Sequence, residues 1–361
     1  MYPEFEVEEE HQLPFLCYEQ YITTDGALFA HGCMHLDQFV LTRYVSLTAP
    51  WTGNRDDIDE DIEIPGEAGT HTVASEAGKK IIRTMFEAVW CIAKTGRCFQ
   101  TIERKHVFVG ADGNVRLLGV RILDPNNILQ LGPQLRQNLI AVAGIGRDLF
   151  NERGLGIPAE FTHLFDMVDN DAGTMNFELY HVHTSGVPIG IGWLVYQKLF
   201  DHVMVQISRA KRLAIYRSLR PYMQNWRVIA ESNDLSKSTF VFRQGSYDLN
   251  DARVAAIMGI DLNQFLSKPL VDQQDMWLLA EAHMFMMYLR NRSAHRLGGM
   301  DVDSYYKKNG GKDYTPEGSD YLFQIRWADV MCHIQKELSD LGELADLKIS
   351  HFFSGLYSKK I

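Results

Sequence analysis

Residues 276–299, MWLLAEAHMFMMYLRNRSAHRLGG, decide how this chain is read. From Met276 to Leu289 nearly every position is apolar, and a helix with no polar face is a helix built for burial. The run then turns polar at Arg290, Asn291 and His295, and Gly298-Gly299 supplies the stop that helix C-termini favour. A buried rod therefore carries one arginine and one histidine, five residues apart, to its C-terminal end. With no metal ligand near them in sequence, a guanidinium and an imidazole form a pairing suited to phosphodiester chemistry. Met284, Met286 and Met287 of the same rod read as core filler rather than as copper ligands.

Around this rod, 361 residues are too many for one ordinary core and fit two domains, expected at 1–187 and 188–361. The five cysteines, Cys17, Cys33, Cys91, Cys98 and Cys332, are scattered and odd in number, so neither a disulfide framework nor a zinc ribbon is expected. The acidic start, Glu4, Glu6 and Glu8 to Glu10, has the wrong charge for a secretory leader. The most apolar window, 187–207, is interrupted by Lys198, Asp201 and His202, which argues against a membrane span. A cytoplasmic or nuclear setting is the expectation.

The net charge of −10 is unevenly spread. Residues 1–197 hold 14 basic against 27 acidic side chains, whereas 198–361 hold 22 against 19. From His202 to Ala230, Arg209, Lys211, Arg212, Arg217, Arg220 and Arg227 meet no acid at all. A local basic face can bind phosphates on an acidic protein, although a plain solvated helix face looks the same on charge alone.

The expected fold class is α+β, mostly α. β-Branched and aromatic content predicts a strand at 37–48, and the acidic stretch 55–69 reads as an exposed loop. Residues 76–94 place Ile81, Met85, Ala88, Val89 and Ile92 on one helix face, with Gly96 as its end. Two short apolar runs around Ala-Asp-Gly-Asn predict a hairpin over 107–120. Helices are predicted at 137–150 and 159–169. Beyond Trp193 the pattern is almost wholly helical: Leu199, Val203, Ile207, Ala210 and Ala214 suggest one long helix ended by Pro221, followed by helices at 250–258, 273–296 and 318–341.

Other motifs carry less. His181-x-His183 and His31-x3-His35 lack a third ligand nearby, so no metal is expected. Gly144-Ile145-Gly146 and Gly190-Ile191-Gly192 lack the third glycine of a phosphate loop, and Ser185-Gly186 is no nucleophile elbow.

The order strand, acidic loop, helix, hairpin, helix, helix resembles the lower part of a protein kinase. His106-Val107-Phe108-Val109 and Asp112-Gly113-Asn114-Val115-Arg116-Leu117-Leu118 match the framework of that family's catalytic-loop hairpin. The chemical residues differ. The family's His-Arg-Asp falls on Phe99, Gln100 and Thr101, its metal-binding Asn on His106, and its Asp-Phe-Gly on Gly119, Val120 and Arg121. Phosphoryl transfer needs carboxylates at such positions, so the expectation is a degenerate, N-terminally truncated kinase-like (pseudokinase) domain with no bound cofactor.

An all-helical extension after a kinase-like domain resembles the unfolded-protein-response kinase–endoribonuclease and the 2-5A-dependent ribonuclease. Their shared extension, the KEN domain, is related to HEPN ribonucleases with an Arg-x4–6-His signature. Tyr288-Leu289-Arg290-Asn291-Arg292-Ser293-Ala294-His295 resembles the family's (L/M)RN-xxx-H segment, Asn225-Trp226 its Asp-Trp, and His183 the His-Pro that closes the kinase fold. The likeness spans residues 20–345, with specific motifs over a small part of that. The family's tyrosines before the arginine and after the histidine are replaced by Trp277 and Arg296.

The resemblance implies metal-independent RNA cleavage through attack by the 2′-hydroxyl, leaving a 2′,3′-cyclic phosphate. His295 would be acid or base, Arg290 would brace the phosphorane, and Asn291 would position the phosphate or hold the backbone. Arg209, Arg212, Arg217, Arg220, Arg292 and Arg296 are the candidate RNA contacts. Positions five apart on a straight helix differ by about 140°, so Arg290 and His295 converge only if the last turn loosens. The resemblance also implies a homodimer and a protein partner for the kinase-like domain. The alternative is a catalytically inactive scaffold that binds a protein or RNA partner through the same surfaces.

Overall fold

The computed structural model describes residues 33–42, 48–51, 71–110, 113–123, 131–151, 156–171, 177–233, 236, 270–294, 316–350 and 352. The expected acidic loop at 55–69, the helix at 250–258, Gly298-Gly299, and the residues Cys17, His31, His295 and Arg296 lie outside these. The chain divides into two compact units, Met1–Ala49 with Ala74–Gly186, and Pro50–Val73 with Val187–Ile361. Helices dominate the described residues, with a small amount of sheet.

In the first unit, β1 (Met34–His35) leads directly into α1 (Leu36–Thr42). This corrects the strand expected at 37–48. Leu36 and Val40, one helical turn apart, are the buried pair, and Asp37 lies in the first turn where the helix dipole favours an acid. β2 (Thr48–Trp51) and β3 (His71–Ala74), at the ends of the Pro50–Val73 segment that groups with the second unit, form a separate two-stranded sheet.

α2 (Glu76–Lys94) covers the span read from periodicity. Ser75 caps it by accepting the Gly78 N–H at 3.1 Å, and Gly96 follows its end at φ 71°. Its face of Ile81, Met85, Ala88, Val89 and Ile92 is buried. After β4 (Cys98–Phe99) comes the hairpin of β5 (Val107–Val109) and β6 (Val115–Leu117), with Val107 opposite Leu117 and Val109 opposite Val115. Gly113 makes its turn at φ 74°, a left-handed conformation open to glycine without strain. β1 pairs antiparallel with β5 to complete a three-stranded sheet, and β7 (Ile122–Leu123) pairs with β4. One buried hydroxyl joins sheet to helix: Thr84 Oγ1 donates to the Lys80 carbonyl at 2.8 Å and accepts the Val115 N–H at 3.0 Å.

α3 (Leu131–Asn151) begins six residues before the expected helix, because Pro133 in the first turn has no N–H to lose there. α4 (Ala159–Asn170) packs against it, and α5 (Phe177–His181) follows. A Cβ on Gly146 would lie 2.8 Å from Phe165 Cζ. Gly146 therefore serves close helix packing, whereas a Cβ on Gly144 would meet nothing within 4 Å.

The helical part of the second unit opens with α6 (Ile189–Asp201), continues through a π-helical turn at His202–Gln206, and restarts as α7 (Arg209–Ser218). The single long helix expected up to Pro221 is thus broken. Ile207 is extended, and Ser208 caps the new helix by accepting the Lys211 N–H. The break rotates the following residues, so Ile215, Tyr216 and Leu219 are buried while Ala210 and Ala214 are exposed. Pro221 falls in a 3₁₀ turn, Arg220–Met223, and α8 (Trp226–Glu231) comes next.

α9 (Leu270–Ala294) is the rod of the opening stretch. Leu279, Ala282, Met284, Phe285, Met286, Tyr288 and Leu289 are all buried. α10 (Pro316–Asp340) bends at Trp327, whose φ of −144° and ψ of 17° interrupt the helix, and α11 (Leu344–Leu347) closes the described chain. Among the described residues no helix is long and apolar enough to cross a membrane. No disulfide joins Cys33, Cys91, Cys98 or Cys332.

Candidate functional site

The C-terminal turns of α9 sort their polar groups by direction. Tyr288 and Arg292, four residues apart, lie on one side of the helix and are buried. Arg290 points the other way and is half-exposed. Its Nη1 donates to Asn291 Oδ1 at 3.3 Å, and Asn291 is itself buried. His295 and Arg296 are outside the described residues, so the distance between the two expected reactive groups is not part of this geometry.

Arg292 needs correcting. It is 1% exposed, and burial pulls its guanidinium down to about 10, against the opposing charges of Tyr288 and Asp320. A cation enclosed in this way offers no face to an RNA phosphate. Charge alone suggested a surface residue; the four-residue spacing from an inward-facing tyrosine was the available signal.

The rotation of α9 is held by a carboxylate. Glu281 Oε1 accepts the Trp226 indole N–H at 2.6 Å and Arg227 Nε at 2.8 Å, and Oε2 accepts Arg227 Nη2 at 3.1 Å. The guanidinium carbon of Arg227 is 4.8 Å from the Trp226 ring centroid. Trp226 then packs on Phe285 and Tyr288, at ring separations of 5.5 and 5.3 Å. Asn225 makes the entry to α8 possible by adopting φ 60°, a left-handed conformation that asparagine tolerates. Three donors on one carboxylate make charge-assisted bonds, the strong kind. Sequence reasoning singled out Asn225-Trp226 but missed Glu281, whose signal was a lone acid inside an apolar run.

His283, also on α9, lies 2.8 Å from the Tyr216 hydroxyl of α7. Burial, with Arg212 adding to it, pushes this imidazole down to about 4, so it is neutral near pH 7. Burial also raises the Tyr216 phenol above its ordinary value. Trp277 is 37% exposed.

The six basic residues of the acid-free stretch differ in exposure and in their contacts. Arg212 Nε donates to the Val203 carbonyl at 3.0 Å, bracing the π-helical turn. Lys211 Nζ bonds the Leu341 carbonyl at 2.9 Å and Glu343, whose other oxygen is 3.2 Å from His202 Nε2. Arg227 belongs to the Glu281 clamp. Arg209, Arg217 and Arg220 are exposed. Arg212 is half-exposed and braces the π-helical turn through Nε.

In the first unit the segments Phe99–Thr101 and Gly119–Arg121 run side by side. Gln100 N–H donates to the Arg121 carbonyl at 2.8 Å. The Asn138 side chain clamps Phe99 by accepting its N–H and donating to its carbonyl, both at 2.9 Å. His106 Nδ1 accepts the Glu103 N–H at 3.0 Å. The remaining histidines are satisfied within the unit. His183 is fully buried, with Nδ1 2.8 Å from Ser185 Oγ and Nε2 3.3 Å from His163 Nδ1, and burial holds it well below the usual imidazole value. His181 lies flat on Trp90 at 3.9 Å and bonds the Phe177 carbonyl.

No protein-family model, curated protein or solved structure matches the chain.

Proposed function

We propose that this protein is a metal-independent endoribonuclease of the kinase-plus-KEN arrangement, with a pseudokinase first unit and a helical nuclease unit that cuts RNA by 2′-hydroxyl attack. The observation that carries the reading is the split at the end of α9: Arg292 is taken into the core while Arg290 is presented half-exposed, held by Asn291. An arginine toward a helix C-terminus is also favoured by the dipole, and what supports a positioning role is that the buried Asn291 amide oxygen holds it. The helix–strand–hairpin order of the first unit, and the absence of carboxylates where Gln100 meets Arg121, support a scaffold that does not transfer phosphate.

In the proposed reaction the ribose 2′-oxygen attacks the adjacent phosphorus and the bond to the 5′-oxygen breaks. The proton from the hydroxyl is removed by a base, and the leaving oxygen is protonated by an acid. His295 takes one of these roles. Arg290 faces the charge that builds on the phosphorane, and its planar fork matches two of the phosphoryl oxygens. A second copy of the chain and a protein partner for the pseudokinase unit belong to the same proposal.

The test uses the purified chain with a stem–loop RNA in excess EDTA, beside Arg290→Ala and His295→Ala. Loss of one transition-state donor or one proton-transfer group costs on the order of a hundredfold or more in rate. Both variants should fall by at least that much. Equal cutting by parent and variants refutes the assignment. Absence of cutting by the parent leaves the inactive-scaffold reading in its place.

A further inference from the structure

We infer that His163 and His183 are ligands of a structural zinc ion in the first unit; the inference is independent of the nuclease reading, in whose chemistry the ion takes no part.

The two imidazoles are twenty residues apart in the chain, which hides them from any short ligand motif. His163 lies on α4, and His183 lies between α5 and the 3₁₀ turn Thr184–Gly186, which packs against α4. His181, which shares a short motif with His183, turns instead onto the Trp90 ring. Folding within the unit thus replaces a pair in sequence by a pair in space. His163 Nδ1 stands 3.3 Å from His183 Nε2, with ring centroids 5.4 Å apart. The centroids are farther apart than the nitrogens, so the rings meet nitrogen to nitrogen and not face to face.

That separation points to an ion. An N–H donor and its acceptor usually stand about 2.7–3.2 Å apart, so a hydrogen bond here is long. Two nitrogens bound to one zinc ion at about 2.0–2.1 Å, at the tetrahedral angle, stand about 3.3–3.4 Å apart. A right angle would bring them to about 2.9 Å, and a linear pair would hold them about 4 Å apart. The tetrahedral case fits, and zinc is the imidazole-binding metal whose structural sites take that geometry.

The pair is also kept in the state a metal needs. Burial holds His183 well below the usual imidazole value, with the charge of His163 adding to it, so the ring is neutral near pH 7 and keeps a lone pair. Ser185 serves its other nitrogen, with the hydroxyl 2.8 Å and the backbone N–H 3.2 Å from Nδ1. Without the ion, Nδ1 accepts from these donors and the proton sits on Nε2, facing His163. Zinc at Nε2 moves that proton to Nδ1, which donates it to the Ser185 oxygen, because a hydroxyl both donates and accepts. His183 stays neutral throughout, and only the longer backbone contact is given up. A partner of this kind behind a ligand histidine orients the ring and tunes its affinity for the metal. His183 is 1% exposed whereas His163 is half-buried, so the ion enters from the His163 side. Enclosure on the His183 side makes the ion a clamp between α4 and the turn after α5 rather than a catalyst.

The test uses the untagged full chain, stripped with EDTA and returned to metal-free buffer. Zinc is titrated against a chromophoric chelator, and cobalt(II) is bound separately as a spectroscopic probe. The expected result is one zinc per chain, released by EDTA, and the intense visible bands of a tetrahedral cobalt ion. Zinc at about a hundredfold excess over its dissociation constant should raise the unfolding temperature of the first unit by about 5–10 °C. His163→Ala and His183→Ala should each abolish both the binding and the temperature rise. Ser185→Ala should weaken binding about ten- to a hundredfold, and His106→Gln should bind as the parent does. Should His183→Ala fail to fold, His163→Ala, at the half-buried position, decides alone. A parent that holds no zinc overturns the inference, as do the weak bands of an octahedral cobalt ion. Equal binding by the parent and His163→Ala, the mark of adventitious metal, overturns it as well.

Discussion

Lowering the pH from 7.5 to 5 should destabilise the helical unit through His283, by an amount that follows from its burial. The imidazole is held down to about 4 in the folded chain, against an ordinary value of 6.5. A histidine depressed in this way contributes fully above 6.5, and its contribution is lost as pH falls from 6.5 toward 4, because the unfolded chain takes up the proton first. At pH 5 the unfolded imidazole is almost fully charged while the buried one remains mostly neutral. The difference is about 1.5 pH units, or roughly 2 kcal/mol. His333 on α10, pushed to about 4 by burial, with Lys336 lowering it further, and 2.9 Å from Ser218 Oγ, adds a similar amount in the same direction. Asp329 and Glu337, whose carboxyls are raised by burial, act in the opposite sense, so total stability is a poor readout. The variant His283→Gln isolates one group. Urea unfolding followed by tryptophan fluorescence at pH 7.5, 6.5, 5.5 and 5 should show the loss between the extremes shrink by about 2 kcal/mol in the variant. A variant with the parent's full pH dependence would refute the claim that His283 is buried neutral against Tyr216.

Three further outcomes follow from geometry already described. Glu281→Ala leaves the Trp226 indole and the Arg227 guanidinium without their shared acceptor, and should cost about 2–3 kcal/mol in chemical denaturation, while Glu281→Gln should lose about half of that. Gly146→Ala places a methyl 2.8 Å from the Phe165 ring and should cost about 1–3 kcal/mol, with no compensation from the higher helix propensity of alanine. Asn138→Ala removes both bonds to Phe99 and should lower the unfolding free energy of the first unit by about 1–3 kcal/mol, with faster amide exchange at Phe99.

Much of the fold was legible because helices and hairpins write their period into the chain. α2, α4, the β5–β6 hairpin and the rod α9 follow directly from apolar spacing and turn chemistry. α1 was not legible. Its Val40 and Phe39 look like strand residues in composition, and only burial at Leu36 and Val40 reveals the four-residue period. The break at Ile207-Ser208 was hidden because apolar residues continue at helical spacing on both sides of it, and Ser208 alone marked the new start. At the candidate site, Arg290 and Asn291 were readable as a motif. The sorting of Arg292 inward and Arg290 outward was not, since it depends on which side of α9 meets Trp226 and Glu281, a long-range contact that no local window contains. The same holds for the basic stretch, where the partners of Lys211, Arg212 and Arg227 come from as far away as Glu343.

The proposed cleavage leaves its signature on the new RNA ends. A stem–loop RNA labelled at one end should be incubated with the chain in EDTA and the new ends resolved by mass. The expected products are a 2′,3′-cyclic phosphate and a 5′-hydroxyl, with cutting abolished at any linkage carrying a single 2′-deoxy sugar. Ends bearing a 5′-phosphate and a 3′-hydroxyl, or cutting that proceeds past the deoxy sugar, would contradict it.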